Sequence, residues 1–260
     1  MERTNLKTVL FLGSKPIGYQ CLEYLIREGD AMGIRIAGVL SNDNLRFDKA
    51  QSVRRLAAEA DLRFIEDLEQ VVSEPPVDFL LSVQYHQILK PRHIAQARRL
   101  AINLHMAPLP EYRGCNQFSF AIFDGAKVFG TTLHRLEEGI DSGDILAERR
   151  FPLPEGCFVQ DLYAMTHEAS VVLFKESIGD IFAGRYTLTP QASLVEARGT
   201  SLHYRSEITR LKTIDLTHDP QKILRQIRAT AMPGFEPPYA VVEGRKIYMI
   251  PEQHHRSDEH

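Results

Sequence analysis

Two stretches of the chain gather side chains able to do chemistry: Asn103-Leu-His105-Met-Ala-Pro-Leu-Pro-Glu-Tyr112-Arg113-Gly114 and Gly139-Ile-Asp141-Ser-Gly143-Asp144. Ala101–His105 reads as a strand, in which residues two apart face the same side. Asn103 and His105 therefore project together at its end. An Asn amide is a neutral donor suited to an oxygen that gains negative charge, and a His exchanges a proton near neutral pH. A carboxylate at Asp141 can orient that imidazole and balance its charge. Together the three fit acyl transfer to a nitrogen better than hydride or phosphoryl transfer. Each also has an ordinary reading, since a strand-end Asn or His is commonly structural and Asp-Ser-Gly-Asp is a usual turn composition.

The surrounding elements must place these groups at the edge of a sheet. Thr8–Leu12, Arg35–Leu40, Phe64-Ile65 and Val77–Val83 are apolar, strand-like runs. Between them lie helical patterns over Ile17–Arg27, with Ile17, Cys21, Tyr24 and Leu25 on one face, and near Lys49–Ala60. Continuous apolar strands alternating with helices predict an α/β fold, a Rossmann-like, mostly parallel sheet covered by helices on both faces. In such sheets ligands bind beyond the carboxyl ends of the strands, where Ala101–His105 delivers its polar residues. A helix near Asn116–Phe123, extended segments Phe129–Leu136 and Asp144–Phe151 as neighbouring strands, and a long amphipathic helix over Val159–Ala183 follow. Residues 1–200 are taken as the catalytic domain. Residues 201–260 are taken as a small α+β appendage with a helix near Pro220–Ala229 and a closing hairpin, Ala240–Val242 and Lys246–Ile250, around Glu243-Gly244. The tail His254–His260 is expected to be a solvated, frayed end.

Composition excludes several classes. Of 260 residues, 43% are hydrophobic, enough for a packed core and against disorder. A net charge of −3 argues against a protein built to hold nucleic-acid phosphates. Cys21, Cys115 and Cys157 are an odd count without metal-type spacing, pointing to a reducing compartment and to no metal site. No apolar run approaches the roughly 20 residues of a membrane span, and the N-terminal residues run directly into a strand, so a cytoplasmic location is expected.

The glycine turn after the first strand is Gly13-Ser14-Lys15-Pro16-Ile17-Gly18, which lacks the middle glycine of a dinucleotide fingerprint. An NAD enzyme is therefore disfavoured. Pro16 suits a first helical turn. Ser14 and Lys15, at a helix N-terminus, are candidates for a substrate phosphate, or simply a tight strand–helix turn.

Asn103, His105, Leu109-Pro110-Glu111-Tyr112-Arg113-Gly114 and Asp141-Ser142-Gly143-Asp144 resemble, in order and spacing, the motif of the folate-dependent formyltransferase family. Ala107-Pro108 departs from the usual Ser-Leu after the His. The resemblance spans roughly residues 6–185 and implies catalytic roles for Asn103, His105 and Asp141. It also implies N10-formyltetrahydrofolate as the formyl donor, its pterin held by the loop after the strand preceding the Asn strand. Here that loop supplies Gln84, Tyr85, His86, Ile88 and Leu89, with the turn at Asp144 on the other side. Tyr85 and Ile88 equally fit ordinary packing at a helix start.

Within the family, three segments look like members acting on dTDP-4-amino-4,6-dideoxy sugars: Gly13–Glu23, Tyr112–Ile122 and Met232–Tyr239. The implied activity is formylation of a nucleotide-linked amino sugar, in the making of lipopolysaccharide O-antigen, by a homodimer paired through the closing hairpin. Acceptor contacts fall to Ser14, Lys15, Tyr112, Arg113 and Asn116, with Arg228 on a diphosphate and Phe235 and Tyr239 stacked on a base. A Pro-rich cap packing its aromatics on the core is the structural alternative. No nucleic-acid or membrane partner is expected. The alternative functions are formylation of another amine, such as methionyl-tRNA, and a non-catalytic protein that binds folate or a nucleotide sugar.

Overall fold

The protein is described by a computed structural model over residues 6–42 and 49–251; the polar tail at His254–His260 lies outside the described residues. In chain order the elements are β1 (Lys7–Gly13), α1 (Lys15–Glu28), β2 (Ile34–Leu40), α2 (Val53–Glu59), β3 (Phe64–Ile65), β4 (Val77–Val83), α3 (Pro91–Ile94) and β5 (Ala97–His105). Then come β6 (Arg113–Gly114), α4 (Gln117–Asp124), β7 (Val128–Arg135), β8 (Ile145–Pro152), α5 (Val159–Ala183), α6 (Val195–Arg198) and β9 (Leu202–His203). The chain closes with α7 (Glu207–Lys212), α8 (Pro220–Thr230), β10 (Tyr239–Val242) and β11 (Arg245–Tyr248).

Seven strands form one sheet in the order β3-β2-β1-β4-β5-β7-β8. The pairs from β3 to β5 are all parallel, and β5 pairs antiparallel with β7. Both faces are covered, as the apolar strands predict. Leu80, Leu10 and Leu12 pack on one face with Leu68 and Val71 of a 3₁₀ turn. Phe79, the neighbour of Leu80, points the other way and meets Phe182 of α5, ring centroids 4.9 Å apart. Such an aromatic contact adds about 0.5–1.5 kcal/mol beyond the area it buries.

Local chemistry sets several element ends. The helix expected over Lys49–Ala60 is broken: a 3₁₀ turn over Lys49–Gln51 precedes Ser52, whose hydroxyl accepts from the Arg55 amide at 3.0 Å and caps α2. In α1 the buried face is Ile17, Gly18, Cys21, Leu22 and Leu25. Tyr24, expected on that face, lies at its edge, half-buried against Phe174. In the closing hairpin Glu243 (φ 49°) and Gly244 (φ 74°) both take positive φ, the turn whose twist matches paired strands.

The chain divides into two compact units that are not consecutive stretches. One runs through Arg113 and takes in Gly130–Arg150 and Thr166–Ser201; the other comprises Gly114–Phe129, Phe151–Met165 and the chain from Leu202 onward. Within the second unit α4 packs on α8. There Asp219 caps α8 through the Gln221 amide at 2.8 Å, and the Gln226 side chain donates to the carbonyls of Leu211 (2.7 Å) and Thr213 (2.9 Å).

Candidate active site

In the first unit the parallel register aligns Gly13 with Val83 and Val83 with Leu104, so β1, β4 and β5 end level with one another. Because β1 leads outward to β2 on one side and pairs with β4 on the other, the sheet reverses its winding here, where open α/β sheets bind ligands. Ser14 and Lys15 follow β1, Gln84 follows β4, and His105 closes β5. The Lys15 ammonium donates to Gln84 Oε1 at 2.9 Å. Both residues hold positive φ, 64° and 52°.

Asn103, His105 and Asp141 come together at this edge. The His105 ring is 2.8 Å from the Tyr112 carbonyl through Nε2. A carbonyl only accepts, so Nε2 carries the hydrogen and the neutral ring keeps its lone pair on Nδ1. That nitrogen lies 3.5 Å from Asp141 Oδ2. The Asn103 amide sits 3.1 Å from His134 Nε2 and donates to Asp141 Oδ1 at 3.4 Å. His134 in turn gives its Nδ1 hydrogen to the Arg135 carbonyl at 2.9 Å, which leaves Nε2 free to accept from Asn103.

His134, 1% exposed, is a member of this cluster that the motif reading does not pick out. Its strand is legible, but its facing is set by register: Cα pairing in the antiparallel ladder puts His134 opposite Asn103 and Thr132 opposite His105, and opposed residues share a face. Two hydroxyls secure the end of β5. Thr131 donates to the His105 carbonyl at 3.0 Å and Thr132 to that of Ala107 at 2.8 Å.

The turn carrying Asp141 is tightly folded. Asp141 itself has φ 47°. A Cβ on Gly143 would stand 2.0 Å from the Arg135 carbonyl oxygen, so only glycine lets the turn lie this close to β7. The Asp144 carboxylate is paired with the Arg135 guanidinium at 3.2 Å, and the Arg135 amide donates to the Asp144 carbonyl at 2.9 Å. Gln191, also outside the motif, donates from Nε2 to the carbonyls of Asp141 (2.9 Å) and Gly143 (2.7 Å).

The other candidates are distributed. In the loop after β4, Tyr85 and Leu89 pack on the core while Ile88 stands 75% exposed. Tyr85 has its phenol pushed up to about 12 by burial and the charge of Asp67, so it stays neutral, and its ring meets that of His86 edge-on. Tyr112 contributes its carbonyl to His105, and the half-buried Arg113 has its backbone amide on the Ser201 carbonyl at 3.1 Å.

The remaining candidates lie in the second unit. Asn116 donates its amide to the carbonyls of Tyr204 (3.0 Å) and Arg205 (3.3 Å). Tyr239 is 6% exposed, its hydroxyl receiving the Thr213 hydroxyl at 3.2 Å and its ring under Lys246, whereas Phe235 is 55% exposed. Arg228 lines a cavity of about 470 Å³ with Phe158, Leu224, Ile227 and Met249, and its Nε is buried without a hydrogen-bond partner. Among the described residues no group of three His, Cys, Asp or Glu is arranged to hold a metal ion.

Comparison with known proteins agrees with this geometry. The chain is 29% identical over 169 residues to the methionyl-tRNA formyltransferase of Listeria monocytogenes, 64% of this chain and 52% of that protein. It is 29% identical over 174 residues to the GDP-perosamine N-formyltransferase of Brucella melitensis, 67% of this chain and 64% of that protein. The chain thus spans about half the length of the first relative and under two-thirds of the second. In fold it is similar to an N-formyltransferase from Helicobacter canadensis, crystallised with folinic acid and dTDP-3-aminofucose, at a TM-score of 0.73 and 22% identity over 93% of this chain and 86% of that one. The family model described as formyl transferase matches residues 38–178, a segment that includes Asn103, His105, His134 and Asp141. That segment is more than half of the 260 residues, and the chain belongs to the formyl transferase family.

Proposed function

We propose that the protein transfers a formyl group from N10-formyltetrahydrofolate to the amino group of a nucleotide-linked amino sugar. The observation that carries the reading is the free Nδ1 of His105 facing Asp141 at 3.5 Å beside the Asn103 amide. When bound, the reduced folate supplies an activated formyl carbon. The exposed Ile88 and the irregular loop from Gln84 to Lys90, on the strand next to Asn103, suit a flat ring with polar edges.

His105 takes the proton of the attacking amine at Nδ1 and Asp141 balances the imidazolium that forms. The Asn103 hydrogen that meets Asp141 only over a long 3.4 Å contact is the one left to stabilise the formyl oxygen as negative charge develops there. His134, accepting the other amide hydrogen, keeps Asn103 from rotating away. Ser14, Lys15, Tyr112, Arg113, Asn116, Arg228, Phe235 and Tyr239 are assigned to the sugar nucleotide on sequence grounds alone.

The relative acting on GDP-perosamine and the neighbour holding dTDP-3-aminofucose support a sugar amine as acceptor. The relative acting on methionyl-tRNA is the observation that favours a second reading, transfer to that substrate. We further read the enzyme as a cytoplasmic homodimer that uses the exposed hairpin residues Val241, Val242, Ile247 and Tyr248. No helix among the described residues is long and apolar enough to cross a membrane.

The deciding experiment supplies formyltetrahydrofolate with a panel of dTDP-, UDP- and GDP-linked amino sugars and follows the mass gain of one carbonyl. Turnover with at least one sugar, and none with methionyl-tRNA or glycinamide ribonucleotide, is the expected result. Robust formylation of either of those two overturns the acceptor assignment.

A further inference from the structure

Asp141 reaches His105 from a positive-φ backbone. With φ 47° it sits in the left-handed region, which Asp tolerates better than most residues with a Cβ but which still has to be held by its surroundings. Apart from the Asp144 carbonyl, which takes the Arg135 amide, the carbonyls of the turn from Gly139 to Asp144 lie in no ladder or helix. Two of them, those of Asp141 and Gly143, receive both hydrogens of one side-chain amide, that of Gln191 at 2.9 and 2.7 Å. Gln191 is 6% exposed, so these bonds are made away from competing water.

Gln191 is itself fixed from outside the turn. Thr189, two residues before it, exchanges a reciprocal pair of backbone hydrogen bonds with Ile145 at the start of β8, both 2.9 Å. The amide thus bridges two points that flank Ser142, while its own backbone is tied to the strand into which the turn runs. A segment 50 residues along the chain, beyond the stretch that defines the family match, thus bonds to the turn that carries the carboxylate.

We infer that Gln191 is a positioning residue: by gripping the Asp141 and Gly143 carbonyls it holds Asp141 in the left-handed conformation that aims its carboxylate at His105. The inference rests on the reading of His105 and Asp141 as the proton-handling pair. Asn103 and His105 from β5 and His134 from β7 face Asp141; nearby, Arg135 is paired with Asp144 and Glu137.

The test uses Gln191→Met, close in shape but without donors, and Gln191→Glu, which turns a carboxylate oxygen toward the two carbonyls. The ring protons of His105, assigned with a His105→Asn control, are followed by NMR through a pH titration of the substrate-free protein. Removing a nearby carboxylate lowers a histidine's titration midpoint, so Asp141→Asn gives the reference displacement. The Gln191 variants are expected to move the His105 midpoint downward, in the same direction as Asp141→Asn. They should also lower kcat by about tenfold to a hundredfold, as misplacement of a catalytic group does, while KM for both substrates changes less than about twofold. A His105 titration unchanged from wild type, in a variant shown folded by circular dichroism, overturns the inference. So does a variant that loses thermal stability and keeps its kcat. The titration needs no turnover, so an enzyme that formylates no sugar would sink the functional reading and leave this result standing.

Discussion

His105 and Asp141 face each other acceptor to acceptor: Nδ1 of the ring is 3.5 Å from Oδ2 of the carboxylate, while Nε2 is spent on the Tyr112 carbonyl at 2.8 Å. Two such groups are ready to hold one proton between them. On the proposed reading, a proton leaving an attacking amine would arrive where imidazole basicity and carboxylate charge act together.

His105→Ala and His105→Asn should lower kcat by about 10²–10⁴ if the ring handles that proton. His105 is 5% exposed, and its loss removes its hydrogen bond to the Tyr112 carbonyl. A stability loss of about 1–3 kcal/mol is therefore expected in urea unfolding alongside the rate effect. A folded variant keeping more than about a tenth of wild-type kcat makes His105 structural.

Asn103→Ala should cost about 10²–10³ in kcat, roughly 2.7–4 kcal/mol, with folate affinity nearly unchanged. Asn103→Asp should be at least as harmful. It sets a second carboxylate against Asp141, and like charges so close drive one of them to take a proton. Measuring kcat and folate binding for both variants decides the matter; an active Asn103→Asp enzyme removes Asn103 from the mechanism.

Gly143→Ala places a Cβ 2.0 Å from the Arg135 carbonyl oxygen and 2.9 Å from its carbon, backbone atoms that cannot swing aside. Overpacking of that kind costs about 1–3 kcal/mol, and the shifted turn should carry Asp141 out of place, lowering kcat. Gly179→Ala is the control: inside α5 its Cβ meets Met32 Sδ at an ordinary 3.5 Å, and the helix should gain about 0.5–1 kcal/mol. Thermal unfolding and kcat of the pair check both signs.

Asp78 supplies a pH signature for the sheet. Its carboxylate accepts from the Thr8 amide (2.8 Å) and hydroxyl (3.1 Å), with Arg99 beside it, and these contacts hold its titration below the ordinary carboxylate value. A depressed folded-state value means stability that is present above about pH 4, the unfolded value, and is lost as the pH falls through the lower folded one. Asp78→Asn should lower the urea midpoint at pH 7, and the gap from wild type should close on acidification below about pH 4. A gap that stays constant down to acid precipitation contradicts the assignment.

The sequence alone carried the parallel sheet, because strands buried on both faces must read as unbroken apolar runs and the helices between them as amphipathic ones. It carried the shared facing of Asn103 and His105 as well, since strand periodicity is local. The motif spacing added Asp141. Ser52, whose hydroxyl caps α2 and so breaks the helix expected from Lys49, is likewise a residue type that favours that position.

Tertiary structure decided the rest. His134 joined the site through a cross-strand register, and Gln191 through a contact with a turn 50 residues away. Which nitrogen of His105 is free followed from a carbonyl at Tyr112 that no side-chain pattern announces. The division into units, with Gly114–Phe129 and Phe151–Met165 grouped with the C-terminal segment, has the same origin. Periodicity reports which face of an element is buried, whereas register, backbone acceptors and the partner of a buried amide depend on where a distant segment comes to lie, and local sequence holds no record of that distance.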